Sequence, residues 1–253
     1  MFSKAIVRTP AKSMTKGLSN AELGLPNHEK ALNQHAECIK ALKECGLDVF
    51  VMAEDERYPD STFVEDVALL TKCCAIITNP GADSRRGETT EIKKVLVDFY
   101  RDIEEVKEPG RVDAGDIMMV GLHFYIGLSE RTNENGAQQV IDYLEKFSMS
   151  GSVVKLERVL HLKNGVAYLE RNNLVACDQF VSNEEFQKFN ILEIDEDENY
   201  AANCIWVNDR VLIPEGYPKA RKTIESAGYL VKEIDVSEFQ KLDGGLSCLS
   251  LRF

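Results

Sequence analysis

No stretch of this sequence approaches the roughly 20 consecutive apolar residues that a membrane-spanning helix needs. The opening residues, Met1-Phe2-Ser3-Lys4-Ala5-Ile6-Val7-Arg8, hold a lysine but lack the apolar core of a secretion signal, and they read as a strand. Basic residues are outnumbered: 30 Lys and Arg stand against 42 Asp and Glu, for a net charge of −12. Nucleic-acid binding rests on an excess of cations meeting phosphates, so no nucleic-acid partner is expected. Seven cysteines are an odd number for a closed disulfide framework, and no two of them make the paired CxxC spacing of a zinc knuckle. A reducing, cytoplasmic setting without a bound metal is the expectation. There is no glycine-rich phosphate loop, and Val112-Asp113-Ala114-Gly115-Asp116 lacks the spacing of a dinucleotide fingerprint. No low-complexity tract or linker divides the chain. Residues 1–253 are therefore expected to form a single catalytic domain, long enough to bury a substantial core.

What is present is a recurring order of strand, strand, helix, strand. One unit starts at Phe63–Leu70, continues through Ala75–Thr78, enters a helix with Ile92, Val95, Leu96, Phe99 and Ile103 at helical spacing, and closes with Ile103–Val106. A second starts at Asp113–Val120, followed by Phe124–Gly127, a helix with Ala137, Val140, Ile141 and Leu144 on one face, and Val153–Leu156. A third runs from near His161 through Gly165–Leu169, Asn173–Cys177, a short helix near Asn183–Lys188 and Ile191–Ile194. A fourth begins near Asn203, with Ile205–Val207, Val211–Ile213, a helix stopped at Gly228, and Tyr229–Ile234. A fifth exists only if the two ends of the chain meet. Leu246–Leu251 would be its first strand, Lys4–Arg8 its second, His28–Cys45 its helix and Leu47–Met52 its last strand. Unit starts recur about every 40–50 residues, a spacing of radial or stacked repeats. A doubly wound α/β sheet would alternate strand and helix more simply.

The reactive side chains gather at the beginnings of these units. Asp60, Glu65 and Asp66 flank the first, Asp113 and Asp116 open the second, His161 the third, and Asp243 and Cys248 the last. If first strands line a common axis, these residues converge although they are far apart in sequence. Cysteine attacks carbon as the thiolate and needs a cation or base nearby. Histidine can give a proton to a leaving amine and later take one from water. Carboxylates match a flat guanidinium by charge-assisted hydrogen bonds. Arg85 and Arg131, each following the second strand of its unit, are placed to clamp a carboxylate. His28 and His35, seven apart on one helix, read as surface or packing residues.

Together these residues resemble the dimethylarginine dimethylaminohydrolase family of the guanidine-modifying superfamily. The elements that carry the likeness are Asp60-Ser61-Thr62-Phe63-Val64-Glu65-Asp66, Asp113-Ala114-Gly115-Asp116, the segment around His161, Ser129-Glu130-Arg131-Thr132-Asn133, and Asp243-Gly244-Gly245-Leu246-Ser247-Cys248. The resemblance spans essentially the whole chain. It implies an α/β propeller of five ββαβ blades closed by the two termini. It also implies hydrolysis of Nω,Nω-dimethyl-L-arginine, and of the monomethyl form, to citrulline and an amine. Cys248 then matches the nucleophile, His161 the acid–base group, and Asp113 the acid that orients it. Asp66 matches a guanidinium anchor with Glu65 nearby, and Asp60 a contact to the substrate amino group. Arg85 and Arg131 match carboxylate clamps, Leu242 a backbone contact, and Leu18 a mobile lid. Gly17 beside it suits a flexible hinge. No cofactor is implied, the partner is a small methylated arginine, and a homodimer stays open.

The same Cys–His–acid set would also serve another guanidine enzyme such as arginine deiminase or an amidinotransferase, but the compact length favours the dimethylarginine enzyme. A catalytically silent binding protein for a cationic amino acid is the alternative outside enzymes.

Overall fold

The computed structural model describes residues 1–157 and 159–253. The chain folds into two compact units. The first holds residues 1–64 and 164–252, and the second holds residues 65–163 with Phe253.

The second unit contains two three-stranded sheets. In one, β3 (Ala68–Leu70) pairs antiparallel with β4 (Ala75–Ile77), which pairs parallel with β5 (Ile103–Glu105). In the other, β6 (Ile117–Val120) pairs antiparallel with β7 (His123–Leu128), which pairs parallel with β8 (Ser150–Lys155). A parallel third strand requires a crossover. Helices α2 (Glu88–Leu96) and α3 (Glu134–Lys146) supply it. Ala137, Val140 and Leu144 of α3 bury against Phe124, Ile126 and Met149, as their three- and four-residue spacing dictates. Asn133 caps α3, its side chain accepting from the Gly136 amide at 2.8 Å.

The first unit contains three more sheets of the same plan. They are β9 (Val166–Tyr168), β10 (Asn173–Ala176) and β11 (Asn190–Glu193); β12 (Ile205–Val207), β13 (Arg210–Pro214) and β14 (Leu230–Ile234); and β15 (Leu251–Arg252), β1 (Lys4–Arg8) and β2 (Asp48–Met52). In each, the middle strand is antiparallel to the first-named and parallel to the last-named. Ile6 pairs with Leu251 and Ala5 with Arg252, so the two ends of the chain do share one sheet. Helix α1 (His28–Glu44) makes the crossover there, burying Ala31, Cys38, Ala41 and Leu42 in a cluster with Ala5, Val7 and Leu249. Helix α4 (Pro218–Ser226) serves the fourth repeat, and Gly228 ends that segment with φ at +87°, a value that favours glycine. The third repeat crosses over with two 3-10 turns, Asp178–Phe180 and Glu184–Phe186, where a short helix was expected.

The first strands are shorter than their apolar runs suggest. Val64–Val67, Ala114–Asp116 and Ser247–Leu249 are 3-10 turns, and the strand begins only after each. Leu162–Asn164 precedes β9 and Glu196–Ala202 precedes β12 in the same way. All five repeats thus open with a tight turn. Helix α2 also stops early. Phe99 and Ile103 lie beyond it, and Ile103 opens β5, the closing strand expected at Ile103–Val106. Among the described residues no helix is long and apolar enough to cross a membrane.

Candidate active site

In the second unit the opening turns bring Asp66, Asp113 and His161 together, all three buried. Their ligating atoms lie within 4.8 Å of one another. Nε2 of His161 is 3.0 Å from Oδ2 of Asp113, whose Oδ1 accepts from the Gly81 amide at 2.9 Å. Asp66 accepts from the Gly115 amide at 3.1 Å through Oδ1 and from Arg85 at 2.5 Å through Oδ2. Gly115 is required here by contact. A Cβ would stand 2.6 Å from Asp66 Oδ1 and 3.0 Å from His161 Nδ1.

Charge follows from this packing. Burial opposes protonation of His161, but the carboxylate of Asp66, the hydrogen bond to Asp113 and the charge of Asp116 outweigh it and hold the imidazole up to about 9. Burial likewise opposes ionisation of Asp66, yet His161 and Arg85 bring its carboxyl below the usual range. The spacing of this trio is one that a metal ion with oxygen and nitrogen ligands could occupy, and binding it would have to displace the imidazole proton. The carboxylates of the trio suit a guanidinium.

The two arginines are placed differently. Arg85 is buried, its Nε and NH2 bonded to Glu88 and its NH1 to Asp66. The side chain of Arg131 is 19% exposed, with NH1 4.0 Å from Asp113 Oδ2. Glu65 is buried, and its Oε1 meets Lys163 Nζ at 2.6 Å.

The first unit carries the sulfur. Cys248 is buried in the turn before β15 rather than on a strand, and its Sγ accepts from the Gly245 amide at 3.4 Å. Asn203 holds that turn, its Oδ1 accepting from the Ser247 amide at 3.0 Å, while the Tyr200 hydroxyl donates to Gly244 O at 2.7 Å. Asp60 is buried, and its Oδ1 accepts from the Leu18 amide at 3.0 Å. Leu18 itself is 41% exposed and Leu242 is buried. The segment after Leu18 is tied down by Ser19 Oγ donating to Lys241 O and the Asn20 amide donating to Asp243, both at 2.6 Å. Gly17 has an extended backbone, with φ −61° and ψ 162°. What demands glycine there is closeness, since a Cβ would be 2.7 Å from Asp60 Oδ1.

Several contributors escape a reading of sequence. Asn203 and Tyr200 stand at the opening of the fourth repeat, the one repeat without an obvious reactive residue, and only repeat phase points to them. Lys163 has no signal, whereas Glu88 sits three residues after Arg85, a helical spacing. His28 faces Pro10 O at 3.0 Å, and His35 is buried in α1, where burial pushes it down to about 4. His35 is thus a packing residue.

An oriented imidazole beside paired carboxylates in one unit, and a cysteine held at the head of a turn in the other, are the residue types of the nucleophile-plus-acid class of hydrolase, carried on a ββαβ repeat fold. Residues 14–248 match the family model described as N,N dimethylarginine dimethylhydrolase, eukaryotic. The chain is 58% identical to the N(G),N(G)-dimethylarginine dimethylaminohydrolase of Pseudomonas aeruginosa, covering 100% of both chains. It is 32% identical to the enzyme of that name from Streptomyces coelicolor, over 98% of this chain and 96% of the other. The crystal structure of a Cys-to-Ser mutant of DDAH from Pseudomonas aeruginosa complexed with citrulline superposes with a TM-score of 0.99, at 58% identity and full coverage of both chains. The chain belongs to the dimethylarginine dimethylaminohydrolase family.

Proposed function

We propose that this chain hydrolyses Nω,Nω-dimethyl-L-arginine, and Nω-monomethyl-L-arginine, to L-citrulline and dimethylamine or methylamine, in a reaction that draws on residues of both compact units. The observation that carries the reading is the buried His161 held by Asp113 beside Asp66, protonated near neutral pH and so charged with the proton a leaving amine needs. The full-length likeness to relatives bearing that enzyme name supports the substrate class.

In this reading Asp66 and Glu65 hold the guanidinium, Asp60 and Leu18 take the amino end, and Arg131 and Arg85 serve the carboxylate side, with Leu242 supplying a backbone contact. Arg131 is the more accessible of the two arginines, whereas Arg85 also orders Asp66. The Cys248 thiolate adds to the guanidinium carbon. The C–N bond then breaks as His161 gives its proton to dimethylamine, leaving an S-alkylthiouronium. Water follows, losing a proton to His161 and adding to the same carbon. The C–S bond breaks as the new hydroxyl loses its proton to solvent, where the freed amine takes it up, releasing citrulline and the thiolate. Atoms and charges balance with water alone, so no cofactor is called for. Holding the carbon in attack geometry and orienting the proton donor account for the acceleration. A cysteine nucleophile suits the reducing cytoplasm, and none of the described cysteines is in a disulfide.

The test is citrulline release from dimethylarginine, monomethylarginine and arginine. Preferential turnover of the methylated forms is the expected result. Equal or faster turnover of arginine transfers the assignment to a deiminase, and binding without turnover to a silent binding protein.

A further inference from the structure

We infer that Asp116 is a positioning residue whose single buried carboxylate sets His161, Asp113 and Arg131 in place, an inference that rests on the catalytic reading above. Asp116 is fully buried in the second unit. Its Oδ1 accepts from the Leu162 amide at 3.0 Å, immediately after His161. Its Oδ2 accepts from two hydroxyls, Ser129 Oγ at 2.7 Å and Thr132 Oγ1 at 2.6 Å. Those hydroxyls each pass the constraint on. Ser129 Oγ accepts from the amides of Arg131 at 2.9 Å and Thr132 at 3.1 Å, fixing the turn that carries Arg131. Thr132 Oγ1 accepts from the Asp113 amide at 3.2 Å. The amide of Asp116 closes the circuit by donating to Asp113 O at 3.0 Å.

Donor and acceptor counting shows why a carboxylate is needed. A hydroxyl offers one donor and two acceptor positions. Ser129 Oγ has both acceptor positions filled by backbone amides, so it can only donate toward residue 116. An asparagine there must keep its oxygen for the Leu162 amide, which can only donate; its NH2 could find the one acceptor position left on Thr132 Oγ1 but would face Ser129 Oγ, which has none, and leave that hydroxyl without its acceptor. The geometry therefore selects an acid at this position over its amide isostere. The charge matters as well. Burial pushes the Asp116 carboxyl up, but the positive imidazole of His161 and the three donors favour its ionised form. The charged groups around His161 are Asp66, Asp113 and Asp116, with Arg85 held on Asp66 and Lys163 on Glu65.

The experiment compares full-length wild type, Asp116→Asn and Ser129→Ala in two readouts: steady-state turnover of dimethylarginine, and titration of the His161 imidazole by NMR, identified by its loss in His161→Gly. Asp116→Asn is expected to lower kcat/KM by roughly 10–100-fold, the scale of a small misplacement of reacting groups, and to move the imidazole titration to lower pH. Ser129→Ala keeps the charge and is expected to leave the titration in place while raising KM through Arg131. Wild-type kcat/KM together with an unmoved titration in Asp116→Asn overturns the inference. If Asp116→Asn does not fold, Ser129→Ala and Thr132→Val decide it, and normal KM and kcat in both overturn it. A wild type inactive on every arginine derivative defeats the proposed function instead, and the imidazole titration then still tests the role of Asp116.

Discussion

Nε2 of His161 lies 3.0 Å from Oδ2 of Asp113, and neither side chain is open to solvent. A buried imidazole alone would resist its proton. Against Asp66, Asp113 and Asp116 it keeps the proton up to about 9. In the proposed reaction the group would then meet substrate as an acid and become a base only after the amine has taken its proton.

This arrangement links pH to stability. The folded-state value of His161 lies above its unfolded value of about 6.5, so the fold binds the proton more tightly than the unfolded chain does. Its stabilisation is fully present below about pH 6.5 and is lost as pH rises through about 9. Urea unfolding across that window is expected to show wild type losing stability faster than His161→Gln, with the two curves running parallel below it.

Cys248→Ser is expected to lower turnover by at least about a thousandfold while substrate binding survives. The hydroxyl is isosteric but far weaker as a nucleophile at neutral pH. Calorimetric binding beside a citrulline assay reads both, and substantial residual turnover contradicts a covalent route.

His161→Gly removes the proton donor without adding bulk. Release of dimethylamine is expected to fall by about 10²–10⁴-fold, the usual worth of general acid–base catalysis, while attack by Cys248 on a substrate analogue with a better leaving group persists. Mass spectrometry of the trapped adduct and an amine assay check the two halves. Near-normal amine release removes the acid role.

Gly115→Ala places a methyl 2.6 Å from Asp66 Oδ1 and 3.0 Å from His161 Nδ1. The neighbours must separate, which costs about 1–3 kcal/mol of stability and displaces both groups. Activity is expected to fall by more than the loss in stability explains. Thermal melts paired with kcat measurements check this, and an unchanged kcat counts against the tight packing of these two residues.

Much of this was legible before any coordinates. A continuous apolar run found β7, helical spacing of one buried face found α1 and α3, and the count of repeats found the pairing of the chain's two ends. The turns were not. Phe63–Leu70 is apolar enough to read as one strand, yet Val64–Val67 coils because Asp66 is drawn to Gly115 and Arg85, partners far off in sequence. Cys248 was placed on a strand for the same reason, and its turn is held by Asn203, 45 positions earlier. Arg85 shows the remaining gap. Its residue type announces a cation, but only the fold reveals that Glu88 and Asp66 both hold it.

The pairing of β1 with β15 has a consequence for biosynthesis. Ile6 leaves the ribosome early and waits for Leu251, at about 5–20 residues per second, before its sheet is complete. Such distant pairing makes maturation slow. Translation also delivers Cys248, the proposed nucleophile, after each of the acids, base and anchors proposed to work with it.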